Sequence, residues 1–67
     1  MSITLINKDL SERETEVMVL ISCGKTNEEI SSLLEISIST TKTHLRSIYK
    51  KFKVRNRTEA TIKFNNN

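Results

Sequence analysis

The chain has 67 residues, with eleven Lys and Arg against eight Asp and Glu, one histidine, one cysteine, one glycine and no proline. A chain this short hides only about 60% of its unfolded surface and builds a single core, so it reads as one domain over residues 1–67. The lone Cys23 and His44 exclude a disulfide framework and a metal cluster, and no apolar run reaches membrane-spanning length. The opening MSITLINKDL carries Lys8 and Asp9 where a signal peptide would be apolar, and the expectation is a cytoplasmic protein away from the membrane.

Four helices are predicted, and no segment alternates like a strand. In LSERETEVMVLISCG, Ser11 is an N-cap and Glu14 completes a capping box, in which hydroxyl and carboxylate each bond an amide that the helix leaves unsatisfied. The carboxylate also suits the positive end of the helix dipole. Val17, Leu20 and Ile21 give an apolar stripe and Gly24 stops the helix, expected over residues 12–23, with Cys23 read as a small buried apolar group at its end. KTNEEISSLLEIS repeats the device with Thr26 and Glu29, and Ile30, Leu33 and Leu34 form the stripe of a helix of about two turns. Ser37 caps the third helix after a turn too short for an antiparallel pair, which implies a steep crossing. In NRTEATIKF, Asn56 caps and Glu59 is the third residue of a fourth helix running through Phe64.

Charge is segregated along the chain. Residues 1–35 hold three basic and seven acidic side chains, whereas residues 36–58 hold seven basic and none acidic. A merely solvated basic face would interleave acids at i,i+4 spacing, and none is present. Seven uncompensated cations repel one another, and a nucleic acid relieves that repulsion. On a wheel of residues 38–52, at about 100° per residue, Thr41, Leu45, Ile48, Tyr49 and Phe52 share an apolar stripe. Ser39, Thr40, Lys42, Thr43, Arg46, Ser47, Lys50 and Lys53 occupy a separate arc, with Lys51 at its edge and His44 between the two faces. Cations with short hydroxyl side chains suit a major groove, where Lys and Arg meet phosphates and guanine edges and Ser and Thr allow close approach. Lys42, Thr43 and Arg46 are best placed for base edges. Tyr49 and Phe52 belong to the core, so base stacking is not expected; Lys53, Arg55 and Arg57 are divided between a solvated loop and phosphate contact.

The Leu-Ser-x-Arg-Glu opening at 10–14, Gly24, Asn27-x-Glu29-Ile30, Ile36-Ser37, Thr40-x-Lys42-Thr43-His44 and Val54-Arg55-x-Arg57-Thr58-Glu59-Ala60 stand in order at family spacings. Together they make residues 10–60 resemble the LuxR-type (GerE-like) helix-turn-helix domain of bacterial transcription regulators. The resemblance implies an all-α, four-helix domain that binds double-stranded DNA through its third helix and pairs as a homodimer, usually through its fourth. It carries the family's groove contacts onto Lys42, Thr43 and Arg46, and its backbone contacts onto Lys50, Lys51 and the amino end of the second helix near Thr26. In the fourth helix Ala60, Thr61, Ile62 and Phe64 are the apolar or small residues offered to a partner copy. One departure is Thr41, where the family usually has valine; a threonine there can bond the Ser37 carbonyl four residues back.

An enzyme would need a nucleophile with its base, or a metal, and one histidine, one cysteine and one glycine supply neither; no cofactor and no small-molecule substrate are expected. The competing class is a protein-interaction module, since helix-turn-helix folds also recruit RNA polymerase or partner regulators and the acidic first third could mate with a basic surface. The acid-free third helix argues against that as the sole role. An initial Met and caps throughout fit a stand-alone regulator, and the same sequence fits an output domain separated from a receiver or ligand-binding half.

Overall fold

The computed structural model describes residues 9–66, which form four helices and no strand: α1 (Glu12–Ser22), α2 (Asn27–Leu34), α3 (Ile38–Phe52) and α4 (Arg57–Asn65). Each begins at its predicted cap. Ser11 and Thr26 both form complete capping boxes, Ser37 Oγ accepts from the Thr40 amide at 3.0 Å, and Asn56 Oδ1 accepts from the Glu59 amide at 2.9 Å. The fourth start differs in one detail, because the Glu59 carboxylate accepts from the Arg55 amide at 2.9 Å.

The first three helices end alike. Gly24 (φ 86°), Glu35 (φ 57°) and Lys53 (φ 60°) adopt the left-handed conformation, and the next amide reaches back to a carbonyl five residues earlier: Lys25 to Leu20, Ile36 to Ser31, Val54 to Tyr49. At Glu35 this reversal makes the turn between α2 and α3, at a non-glycine residue that bears some steric cost there.

Leu10, Val17, Met18, Ile21, Ile30, Leu45, Ile48, Phe52 and Ala60 are buried together, with Leu20, Leu34, Tyr49, Val54 and Phe64 packed against them. The α3 stripe buries Thr41, Leu45, Ile48 and Phe52 as the wheel predicts. Two expectations change. Cys23 is exposed, because it falls on the side of α1 opposite the arc that buries Glu14, Val17, Met18 and Ile21. Leu33 is 58% exposed, because the inward arc of α2 runs through Ile30, Ser31 and Leu34 instead.

Ser31 is inward for a reason. Its hydroxyl lies 2.7 Å from the buried Thr41 hydroxyl, with Asn27 O and Ser37 O at 2.8 and 3.2 Å as carbonyl acceptors for the pair. Thr41 thus makes its expected bond to Ser37 and also a polar bridge between α2 and α3. Thr41→Val removes one bond of about 1 kcal/mol but leaves Ser31 its Asn27 acceptor and buries a methyl. Urea unfolding should therefore show a net change below about 1 kcal/mol; a several-fold larger loss would make the bridge essential to the helix pair.

Candidate nucleic-acid interface

The predicted arc of α3 is open. Ser39, Thr40, Lys42, Thr43, Arg46 and Lys50 are all exposed, and Lys53 and Arg55 continue the basic surface beyond the helix. The buried stripe fixes this orientation, since any rotation that turned the arc inward would expose Leu45, Ile48 and Phe52.

Hydroxyl chemistry refines what the arc can read. Thr43 Oγ1 donates its proton to Ser39 O at 3.1 Å, which leaves this exposed side chain only the oxygen's acceptor lone pairs and its methyl to offer a partner. Such a side chain accepts from the cytosine or adenine exocyclic amine, or touches the thymine methyl. Lys42 and Arg46 flank it as pure donors. Thr26 is exposed at the start of α2, but its hydroxyl and amide are both engaged with Glu29, at 3.1 and 2.8 Å. The Thr26 oxygen accepts from the Glu29 amide, so an anion at that end would meet the hydroxyl proton together with the first-turn amides.

Two candidates are drawn away from the open arc. Lys51 Nζ lies 2.8 Å from Glu14 Oε1, a carboxylate brought from α1 to the edge of α3, and Ser47 is half-buried with its hydroxyl on the same carboxylate. Burial alone would raise the Glu14 pKa, but bonds from Lys51, Ser47 and the Ser11 amide, together with the Lys51 charge, outweigh it and hold the group at about 2. Arg57 is also committed: Nη1 donates to Lys25 O at 2.8 Å and Nη2 donates to Asn27 Oδ1. Sequence reasoning did not find these pairings, because Glu14 was already explained as a cap and no local spacing joins residues 37 or 32 positions apart. Five exposed cations remain: Lys42, Arg46, Lys50, Lys53 and Arg55. His44 is half-buried between the two faces.

On α4, Ala60 is fully buried and therefore offers no surface to another copy. Thr61 and Phe64 are half-buried, with Phe64 packed on the core, and Ile62 is 56% exposed beside a shallow groove lined by Val54, Glu59, Lys63 and Asn66.

Residues 8–64 match the family model of bacterial regulatory proteins, luxR family. The chain belongs to the luxR family. DNA binding in transcription regulation is thus its general role, and a luxR-type helix-turn-helix its fold. The chain is 41% identical over 58 residues to YhjB of Escherichia coli K12, described as an HTH-type transcriptional regulator, a match covering 87% of this chain and 29% of that one. It is 47% identical over 53 residues to the response regulator protein VraR of Staphylococcus aureus, covering 79% of this chain and 25% of the relative. Among solved structures, the response regulator ChrA of a heme-sensing two-component system superposes with a TM-score of 0.81 at 40% identity, over 85% of this chain and 28% of ChrA. This luxR-family chain therefore spans between 25% and 29% of the length of these relatives. Among the described residues no helix is long and apolar enough to cross a membrane, and no group of three or more His, Cys, Asp and Glu could hold a metal ion.

Proposed function

We propose that the chain binds double-stranded DNA with α3 in the major groove, as one DNA-binding unit of a transcription regulator. The observation that carries this is the exposed arc of Ser39, Thr40, Lys42, Thr43, Arg46 and Lys50, whose opposite face is locked into the core. Lys42, Thr43 and Arg46 read base edges, and Lys50, Lys53 and Arg55 meet phosphates. Ser39 and Thr40 lie in the first turn, where a recognition helix enters the groove, and permit close approach.

Gel shifts across a salt series test this directly. The acid-free window carries five exposed cations outside the Lys51 and Arg57 pairings, so log K should fall against log salt with a slope of about −3 for each bound domain if only Lys50, Lys53 and Arg55 neutralise phosphates, and of about −4 to −5 if Lys42 and Arg46 add to them. Lys50→Ala should flatten it by about one unit, and Lys51→Ala should leave it unchanged because that amine faces Glu14. A slope near zero would remove phosphate contact from the model. A chain that shifts no duplex even at low salt would favour the protein-interaction reading, in which the acidic α1–α2 half meets RNA polymerase or another regulator.

A single recognition helix reads few base pairs, so we infer that two copies occupy half-sites about 34 Å apart. The exposed Ile62 supports α4 as the pairing surface, with Thr61 and Phe64 beside it and Ala60 behind them in the core. The area is small, so the free homodimer is weak and forms mainly on DNA. Thr61→Arg should abolish cooperative binding to a two-half-site duplex, and unchanged cooperativity would remove α4 from the interface.

A further inference from the structure

Arg57 stands outside α3 and opens α4, yet its guanidinium reaches back to the start of α2, the first helix of the bihelical unit that α2 and α3 form. Nη1 donates to the carbonyl of Lys25, in the loop before α2, and Nη2 to the side-chain amide oxygen of Asn27, the first residue of α2. Both acceptors lie within two residues of the Thr26 cap, and both bonds are partly buried. One planar, bidentate donor therefore fixes the amino turn of α2 from the base of α4, a geometry lysine cannot reproduce. The groove beside the clamp is lined by Lys42, Leu45, Arg46 and Tyr49 of α3 together with Asn27 and Arg57. Whatever sets the position of Asn27 thus also sets the distance between the start of α2 and the arc carrying Lys42 and Arg46.

We propose that Arg57 is a positioning residue for DNA binding: it sets the amino end of α2 against α3 without touching DNA itself. The inference rests on the DNA-binding reading and adds a role for a cation of the acid-free window that charge pattern alone would assign to phosphate. A guanidinium already bonded to two protein acceptors has fewer donors left for a phosphate, and releasing it would free the α2 turn at the moment of binding.

The test uses the wild-type chain and the variants Arg57→Ala, Arg57→Lys and Asn27→Ala, with the Arg57→Ala/Asn27→Ala double variant, on one duplex enriched from a random pool by the wild type. All measurements are made well below each melting temperature, and Val17→Ala serves as a control that loses stability in the core. Arg57→Ala should weaken binding about tenfold with the salt slope unchanged, and Arg57→Lys should restore only part of the loss. Asn27→Ala should also weaken binding, and the double variant should be no worse than Arg57→Ala, because both remove the same link. In the free protein, Arg57→Ala should speed amide exchange at the start of α2, whereas Val17→Ala should leave DNA affinity intact. A slope flattened by about one unit in Arg57→Ala with Asn27→Ala inert would make Arg57 a phosphate contact and overturn the proposal. It is equally overturned if affinity stays at the wild-type value, or if Val17→Ala loses as much affinity at equal loss of stability. A wild-type chain that enriches no duplex overturns the DNA-binding reading itself, a result distinct from a clamp that fails in a chain that binds.

Discussion

Replacing Lys42, Thr43 and Arg46 together by alanine is expected to leave a folded protein that still binds duplexes weakly but no longer ranks them by sequence. The three side chains are exposed, so their truncation opens no cavity, and Lys50, Lys53 and Arg55 remain for phosphates. Each good base contact discriminates by about 1–3 kcal/mol, so losing three of them should cost the preferred site about a hundredfold or more over an unrelated duplex. The salt slope should shrink by no more than about two units, for the two cations removed. Thr43→Ala alone is the sharper probe. Its loss should fall at a single base pair, and analogues that remove the adenine or cytosine amine or the thymine methyl there should reproduce it while 7-deazaguanine should not, since the hydroxyl proton is held by Ser39 O. Competition between enriched and scrambled duplexes measures both effects, and an unchanged ranking for the triple variant would remove α3 from the groove.

What was legible in the sequence was whatever a short span of chain decides. The caps at Ser11, Thr26, Ser37 and Asn56 bond amides three residues away, and the α3 stripe follows from helical periodicity, so helix starts and the exposed arc could be drawn without coordinates. Burial on the shorter helices was harder. On the eight-residue α2 the apolar side chains Ile30, Leu33 and Leu34 predict the inward stripe, whereas Ser31 goes inward in place of Leu33 because Thr41 of α3 gives it a buried hydroxyl partner. The functional arc was overdrawn for a related reason. Charge pattern shows which cations lack a local acid, but Lys51 finds Glu14 and Arg57 finds Lys25 and Asn27 across the fold, pairings that only packing α1 and α4 against the bihelical unit creates. Ala60 shows the opposite error: a small residue suits a helix interface, yet it sits fully buried within its own core.

Acid should weaken this fold through Glu14 in particular. Its carboxyl is held at about 2 when folded against an ordinary 4.5, so the unfolded chain takes up the proton first. The stability Glu14 supplies is then complete above about pH 5 and lost as pH falls through the interval down to about 2. A difference of that size corresponds to about 3 kcal/mol at most, and the Lys51 side chain is 38% exposed, so screening reduces it to about 2 kcal/mol. For a domain this small, whose whole stability is only about 0.05–0.15 kcal/mol per residue, that is a large share. Glu14→Gln should lower the melting temperature at neutral pH by about 8–16 °C and flatten the acid limb of the stability curve. Lys51→Ala should act differently: it leaves the buried carboxylate without its cation, so the acid limb moves to higher pH instead of disappearing. Melting curves of the three proteins between pH 2 and 7 separate these outcomes. Wild-type and Glu14→Gln curves that fall in parallel below about pH 5 would show that the ion pair between α1 and α3 contributes nothing to acid stability.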